Sequence, residues 1–221
     1  MKRYLTEFIG TFFLVLAIGL AVSKAGPFAP VAIGVCLACM VYMGGHVSGA
    51  HYNPAVTLGV WLRGKLTSAE VVPYMIAQLL GAVVAAAVVN SSLSMGVSEA
   101  VGAAVQAKFA VSPAKGADLL HTLELEAIFT FALVLVVLQT ATNPKVEKNS
   151  FYGFAIGGVV LVGAYAAGPI SGGAFNPAVG VGPALLAGGD ALSHCWVYVV
   201  GPFIGAILAA TVYKVQSGMD G

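Results

Sequence analysis

Six apolar stretches limit what this chain can become more than any other feature. Residues 4–22, 28–43, 71–90, 123–141, 151–168 and 196–213 each run almost without charge. A helix crossing the hydrocarbon core of a bilayer needs about 20 such residues, so all six qualify as spans. Their length and Ala/Leu content favour helices over the ten-residue alternation of an outer-membrane barrel. Composition agrees, with 59% of the residues hydrophobic and 9% charged. A soluble globule of this size could not cover its surface with so few charges. The net charge of +1 leaves no electrostatic footprint for nucleic acid, and three cysteines imply no disulfide framework. The first run could be taken for a secretory leader, but its length and Glu7 argue for a span. The expected setting is the lipid bilayer, in the cell (inner) membrane.

An even number of spans puts both termini on one side. The excess of basic residues in cytoplasmic loops says which. With the N-terminus inside, Lys2, Arg3, Arg63, Lys65, Lys145, Lys148 and Lys214 are cytoplasmic, seven of the ten basic residues. Lys24, Lys108 and Lys115 fall outside.

The chain also repeats itself. Ser48-Gly49-Ala50-His51-Tyr52-Asn53-Pro54-Ala55-Val56 matches Ser171-Gly172-Gly173-Ala174-Phe175-Asn176-Pro177-Ala178-Val179 at an offset of 123. Glu7-x-x-x-Thr11 matches Glu126-x-x-x-Thr130 at 119, and Ala77-Gln78-Leu79-Leu80-Gly81 echoes Gly201-Pro202-Phe203-Ile204-Gly205 at 124. Ordered landmarks at nearly constant spacing mark a duplicated unit. Three spans per unit force the copies into opposite orientations, an inverted repeat of residues 1–110 and 111–221. The segment 91–118 reads as the external linker between them. Gly153/Gly157 and Gly201/Gly205 offer small-residue faces for close helix contact.

Each Asn-Pro-Ala opens an apolar run too short to cross a bilayer, predicting half-helices at 53–62 and 176–187. Asn is a favoured N-cap, and Pro fits the first helical turn. Irregular backbone at membrane depth survives only when buried in protein or lining a watery cavity. Inverted symmetry then brings the two N-termini together near the midplane, each with roughly half a positive charge. Asn53 and Asn176 would offer amide donors there. Such a meeting point accepts the lone pairs of a neutral molecule and repels a cation. Glu7 and Glu126, at equivalent places in the first and fourth spans, need partners to be tolerated. Their symmetry suggests structural anchors for the loop backbones rather than a proton relay. His51, two residues before Asn53, is expected to line the cytoplasmic vestibule.

These residues carry a resemblance. The runs from His46 to Thr57 and from Ser171 to Ala178 are similar to the paired signatures of the aquaporin, or major intrinsic protein, family. The resemblance implies an all-α membrane protein with six transmembrane helices and two re-entrant half-helices, one pore per subunit, and a homotetramer. It further implies passive conduction of water or small uncharged solutes, without a cofactor. The pore signatures fall on Asn53, Pro54, Ala55, Asn176, Pro177 and Ala178. By distance from the two asparagines, the family's outer selectivity filter falls on Ile33, Ala164, Gly173 and Val179, with Tyr165 an alternative to Ala164. Many family members have Arg where this chain has Val179. The constriction is therefore expected to be wide and apolar.

No nucleophile–base set, phosphate-binding loop, dinucleotide fingerprint or metal-ligand cluster is legible, so an enzyme reading has no residues to stand on. Two other readings stay open: a strict water-only channel, and a secondary transporter, which also uses inverted repeats and broken helices.

Overall fold

The computed structural model describes residues 1–94 and 109–218; Lys108, expected on the outer face, lies outside the described residues. Eight helices of nine residues or more form among them. They are α1 (Lys2–Lys24), α2 (Ala29–Ser48), α3 (Pro54–Leu62), α4 (Ser68–Ser94), α5 (Leu119–Ala141), α6 (Tyr152–Ala166), α7 (Pro177–Ala187) and α8 (Val197–Ser217). Two of them, α3 and α7, are the short helices expected after the two asparagines. Five helical segments are long and apolar enough to cross a bilayer.

The fifth expected span is the exception. The sequence pattern runs as one span over 151–168, but α6 has only 15 residues and ends at Ala166. At 1.5 Å per residue that is about 22 Å. Pro169 explains the break: it has no N–H to bond the Tyr165 carbonyl, and its ring crowds that carbonyl, so the ladder cannot continue. The chain turns at Ala167 and resumes as a single helical turn, Gly168–Ser171.

Packing follows the duplicated sequence. Helix α1 lies against α4 and α2, and α5 lies against α8 and α6. The short helices cross over: α3 packs on α8, and α7 on α4. Equivalent glycines allow the closest approaches. A Cβ at Gly81 would stand 2.5 Å from the Phe8 carbonyl oxygen, and one at Gly205 2.3 Å from that of Ala127. Without a hydrophobic drive between helices in lipid, such small-residue contacts supply much of the packing energy.

The outer surface is apolar. Phe13, Val35, Val84, Ile128, Phe154 and Ile207 are all exposed, a pattern suited to acyl chains and not to water. The polar order is inverted inside, where Glu7 and Glu126 are both completely buried.

Candidate functional site

Asn53 and Asn176 hold extended backbone, with φ of −158° and −157°, and cap α3 and α7. The Asn53 Oδ1 accepts from the Ala55 N–H at 2.8 Å, and the Asn176 Oδ1 from the Ala178 N–H at 2.9 Å. Those bonds fix which end of each amide points away from its helix. The Asn53 Nδ2 donates across to the Phe175 carbonyl at 2.8 Å, and the Asn176 Nδ2 to the Tyr52 carbonyl at 2.9 Å. Each asparagine thus ties its own helix to the opposite loop, and the two N-termini abut. An amide nitrogen carries two protons, and one on each remains for a further acceptor. Pro54, Ala55, Pro177 and Ala178 are buried in the first turns behind the caps.

The two loops share one backbone. Gly49 and Gly172 take φ of 89° and 93°, Ala50 and Gly173 52° and 66°, and Tyr52 and Phe175 51° and 47°. Left-handed backbone costs a non-glycine residue roughly 1–2 kcal/mol, so something must hold it. The buried carboxylates do. Glu7 accepts from the Ser48 hydroxyl at 2.6 Å, the His51 N–H at 3.0 Å, the Tyr52 N–H at 2.7 Å and the Gln78 Nε2 at 2.8 Å. Glu126 accepts from the Ser171 hydroxyl at 2.8 Å, the Ala174 N–H at 3.1 Å and the Phe175 N–H at 2.6 Å. The Tyr74 and Tyr198 hydroxyls close the arrangement, donating to the Ser48 carbonyl at 2.8 Å and the Ser171 carbonyl at 2.5 Å.

A cavity of about 480 Å³ passes this junction, bounded by α1, α2, α5, α6 and both loops. Asn53, Asn176 and His51 line it, as do Ile33, Ala164, Gly173 and Val179, the four positions expected to form an outer filter. Tyr165 points outward instead, its hydroxyl donating to the Pro27 carbonyl at 2.8 Å and nearly half its surface exposed. Among the described residues, none that lines it is Asp, Glu, Lys or Arg. Apart from backbone groups, the polarity of the described lining comes from the two asparagines, His51 and Ser112, since the buried Tyr52 turns its hydroxyl to the Met40 carbonyl.

The wall also contains residues the sequence placed elsewhere. Phe109, Ala110, Val111 and Ser112 line the cavity, although they belong to the segment read as an external linker. The chain folds back there: the Ala114 N–H donates to the Ile170 carbonyl at 2.9 Å, and a Cβ on Gly172 would meet the Val111 Cγ1 at 2.6 Å. The apolar run Phe109-Ala110-Val111 was the available signal, since an exposed linker would not need it. Of the two residues that join the Glu7 cluster, Gln78 was legible only as a repeat landmark and Thr57 only as the end of the first signature.

Comparison with known proteins agrees with this geometry. Residues 1–213 match the family model described as "Major intrinsic protein". The chain is 37% identical to "Glycerol uptake facilitator protein-like 6" of Lactiplantibacillus plantarum, covering 100% of both chains. It is 36% identical to "Aquaporin Z" of Rhodopseudomonas palustris, over 98% of this chain and 93% of that one. The fold matches the aquaglyceroporin of Plasmodium falciparum with a TM-score of 0.86 at 24% identity, covering 99% of this chain and 97% of that one. Two short helices capped by asparagines that each bond the opposite loop, two buried carboxylates under the loops and a match along nearly the whole sequence lead to one assignment: this chain belongs to the major intrinsic protein family.

Proposed function

We propose that water and small uncharged solutes cross this protein through the cavity at the asparagine junction, by passive diffusion, and that its outer end admits solutes wider than water. The observation that carries this reading is the lining. A passage whose described lining has no charged side chain, and which holds two amide donors beside two positive helix ends, stabilises neutral molecules with lone pairs and opposes cations. Ile33, Ala164, Gly173 and Val179 act as the outer filter, and none brings a cation or a large polar group. The relatives' names, one a glycerol facilitator and one an aquaporin, are consistent with a range from water to polyols.

The reading extends to the assembly. Residues 1–110 and 111–221 act as inverted copies, so α3 and α7 are re-entrant from opposite faces. The matched helix contacts of the two halves support this. The family resemblance supports a homotetramer with one passage per subunit, and the basic residues support cytoplasmic termini.

Reconstituted vesicles test the proposal. Stopped-flow light scattering should show water, urea and glycerol all entering faster than in protein-free vesicles. Solute flux should be linear in gradient and indifferent to proton or sodium gradients. Saturable uptake driven by either ion would replace the channel with a secondary transporter. Water flux without urea or glycerol flux would reduce it to a strict water channel.

A further inference from the structure

The three contacts around the Thr57 hydroxyl determine more than its own position. The hydroxyl donates to the Asn53 carbonyl at 3.1 Å, receives the Gln78 Nε2 at 2.9 Å and lies 3.1 Å from the His51 Nδ1. A hydroxyl has one proton and two lone pairs. A carbonyl can only accept, so the proton goes to Asn53. The Gln78 amide donates, with its other Nε2 proton on Glu7. The remaining lone pair faces His51, and all three contacts are satisfied together only if His51 Nδ1 carries a proton. Gln78 cannot reverse its amide without setting Oε1 against the Glu7 carboxylate. The ring is held in place by Tyr74, whose centroid is 5.1 Å away.

The opposite ring nitrogen has no partner among the described residues, and His51 lines the cavity. We propose that Thr57, oriented by Gln78, is a positioning residue that holds neutral His51 as the Nδ1–H tautomer and presents its Nε2 to the passage as a bare hydrogen-bond acceptor. The lining then carries an acceptor beside the two amide donors of Asn53 and Asn176. A solute with both donor and acceptor groups, such as water, urea or a polyol, exchanges one for the other as it moves. The second loop has no such device, because Ala174 and Gly180 occupy the places of His51 and Thr57. The consequence for solutes rests on the proposed passage; the tautomer does not.

Nitrogen-15 solid-state NMR on histidine-labelled protein in lipid vesicles at neutral pH tests this directly. The His51 signals are identified as those missing from His51→Asn. Nδ1 should appear protonated and Nε2 unprotonated. Thr57→Ser should keep that pattern, whereas Thr57→Val, which removes the acceptor, should shift population towards Nε2–H. A wild-type His51 with its proton on Nε2, alone or together with Nδ1, would overturn the proposal. So would a Thr57→Val spectrum unchanged from wild type in a folded protein. If Thr57→Val does not fold, the wild-type spectrum decides. Because no flux is measured, a failed conduction assay and a wrong tautomer are separate results.

Discussion

The loops that lead into α3 and α7 have the same backbone and different chemistry. Both pass through the left-handed region at matching positions, both hang from a buried carboxylate, and both end in an asparagine that caps one helix and grips the other loop. The side chains diverge around that frame. The first loop is polar, with His51, Thr57 and Gln78 in one hydrogen-bonded group. In the second, Ala174, Gly180 and Pro202 take those places and add nothing. Gly180 is also required sterically, since a Cβ there would meet the Tyr198 Cβ at 2.3 Å. The lesson is a division of labour. What the two loops share is the scaffold that brings two helix ends together, and what differs is the set of side chains around it.

The anchors should give the largest effect. Glu7→Ala orphans four donors and Glu126→Ala three. Each buried orphan costs about 1–3 kcal/mol, so both variants should lose most of their folded population. The Glu7 variant should be the weaker, unfolding at the lower temperature by circular dichroism in detergent. Equal losses would mean that the Gln78 bond contributes nothing, and that the two loops are closer to equivalent than their partners suggest.

Asn176→Asp should act on selectivity more than on stability. It replaces the Nδ2 that donates to the Tyr52 carbonyl with an oxygen and adds a charge where two positive helix ends converge. Those ends stabilise an anion, which in turn attracts cations. A measurable cation current in planar bilayers is expected, absent from the wild type. An unchanged ion barrier with unchanged water flux would place Asn176 outside the passage.

The smallest effect concerns the wall of α6. Tyr165→Phe removes one exposed hydrogen bond, to the Pro27 carbonyl, and should leave water and urea permeability within the scatter of the wild type. Ala164→Phe, one residue earlier, should block both. A flux change in Tyr165→Phe as large as that in Ala164→Phe would put the wrong residue at the wall.

That last pair shows where the sequence stopped being informative. Neighbouring helical residues point about 100° apart, and Ala164 and Tyr165 are both tolerable against lipid or in a wall, so pattern alone could not choose. The caps, the anchors and the half-helix limits were readable because Asn, Pro and buried Glu each have few structural uses. The end of α6 was readable in principle from Gly168-Pro169, but hydropathy runs straight through it. Phe109–Ser112 was hidden for a different reason. Its segment holds the Ser, Gly, Pro and charged residues of a linker, and only tertiary folding returns four of its residues to the cavity.

In the proposed passage, solutes cross the asparagine junction and leave through an outer end kept open by Val179. The direct test is the ratio of urea to water permeability in vesicles holding wild-type or Val179→Arg protein, with folding checked by circular dichroism. Arg adds bulk beside Ala164 and Gly173, and a charge worth about 4 kcal/mol against a cation at 4 Å if the effective dielectric is near 20. The ratio should fall at least tenfold, mainly through lost urea flux, and any cation leak should fall with it. A folded Val179→Arg protein whose urea-to-water ratio equals that of the wild type would contradict the claim, because the narrowest point of the passage would then lie elsewhere.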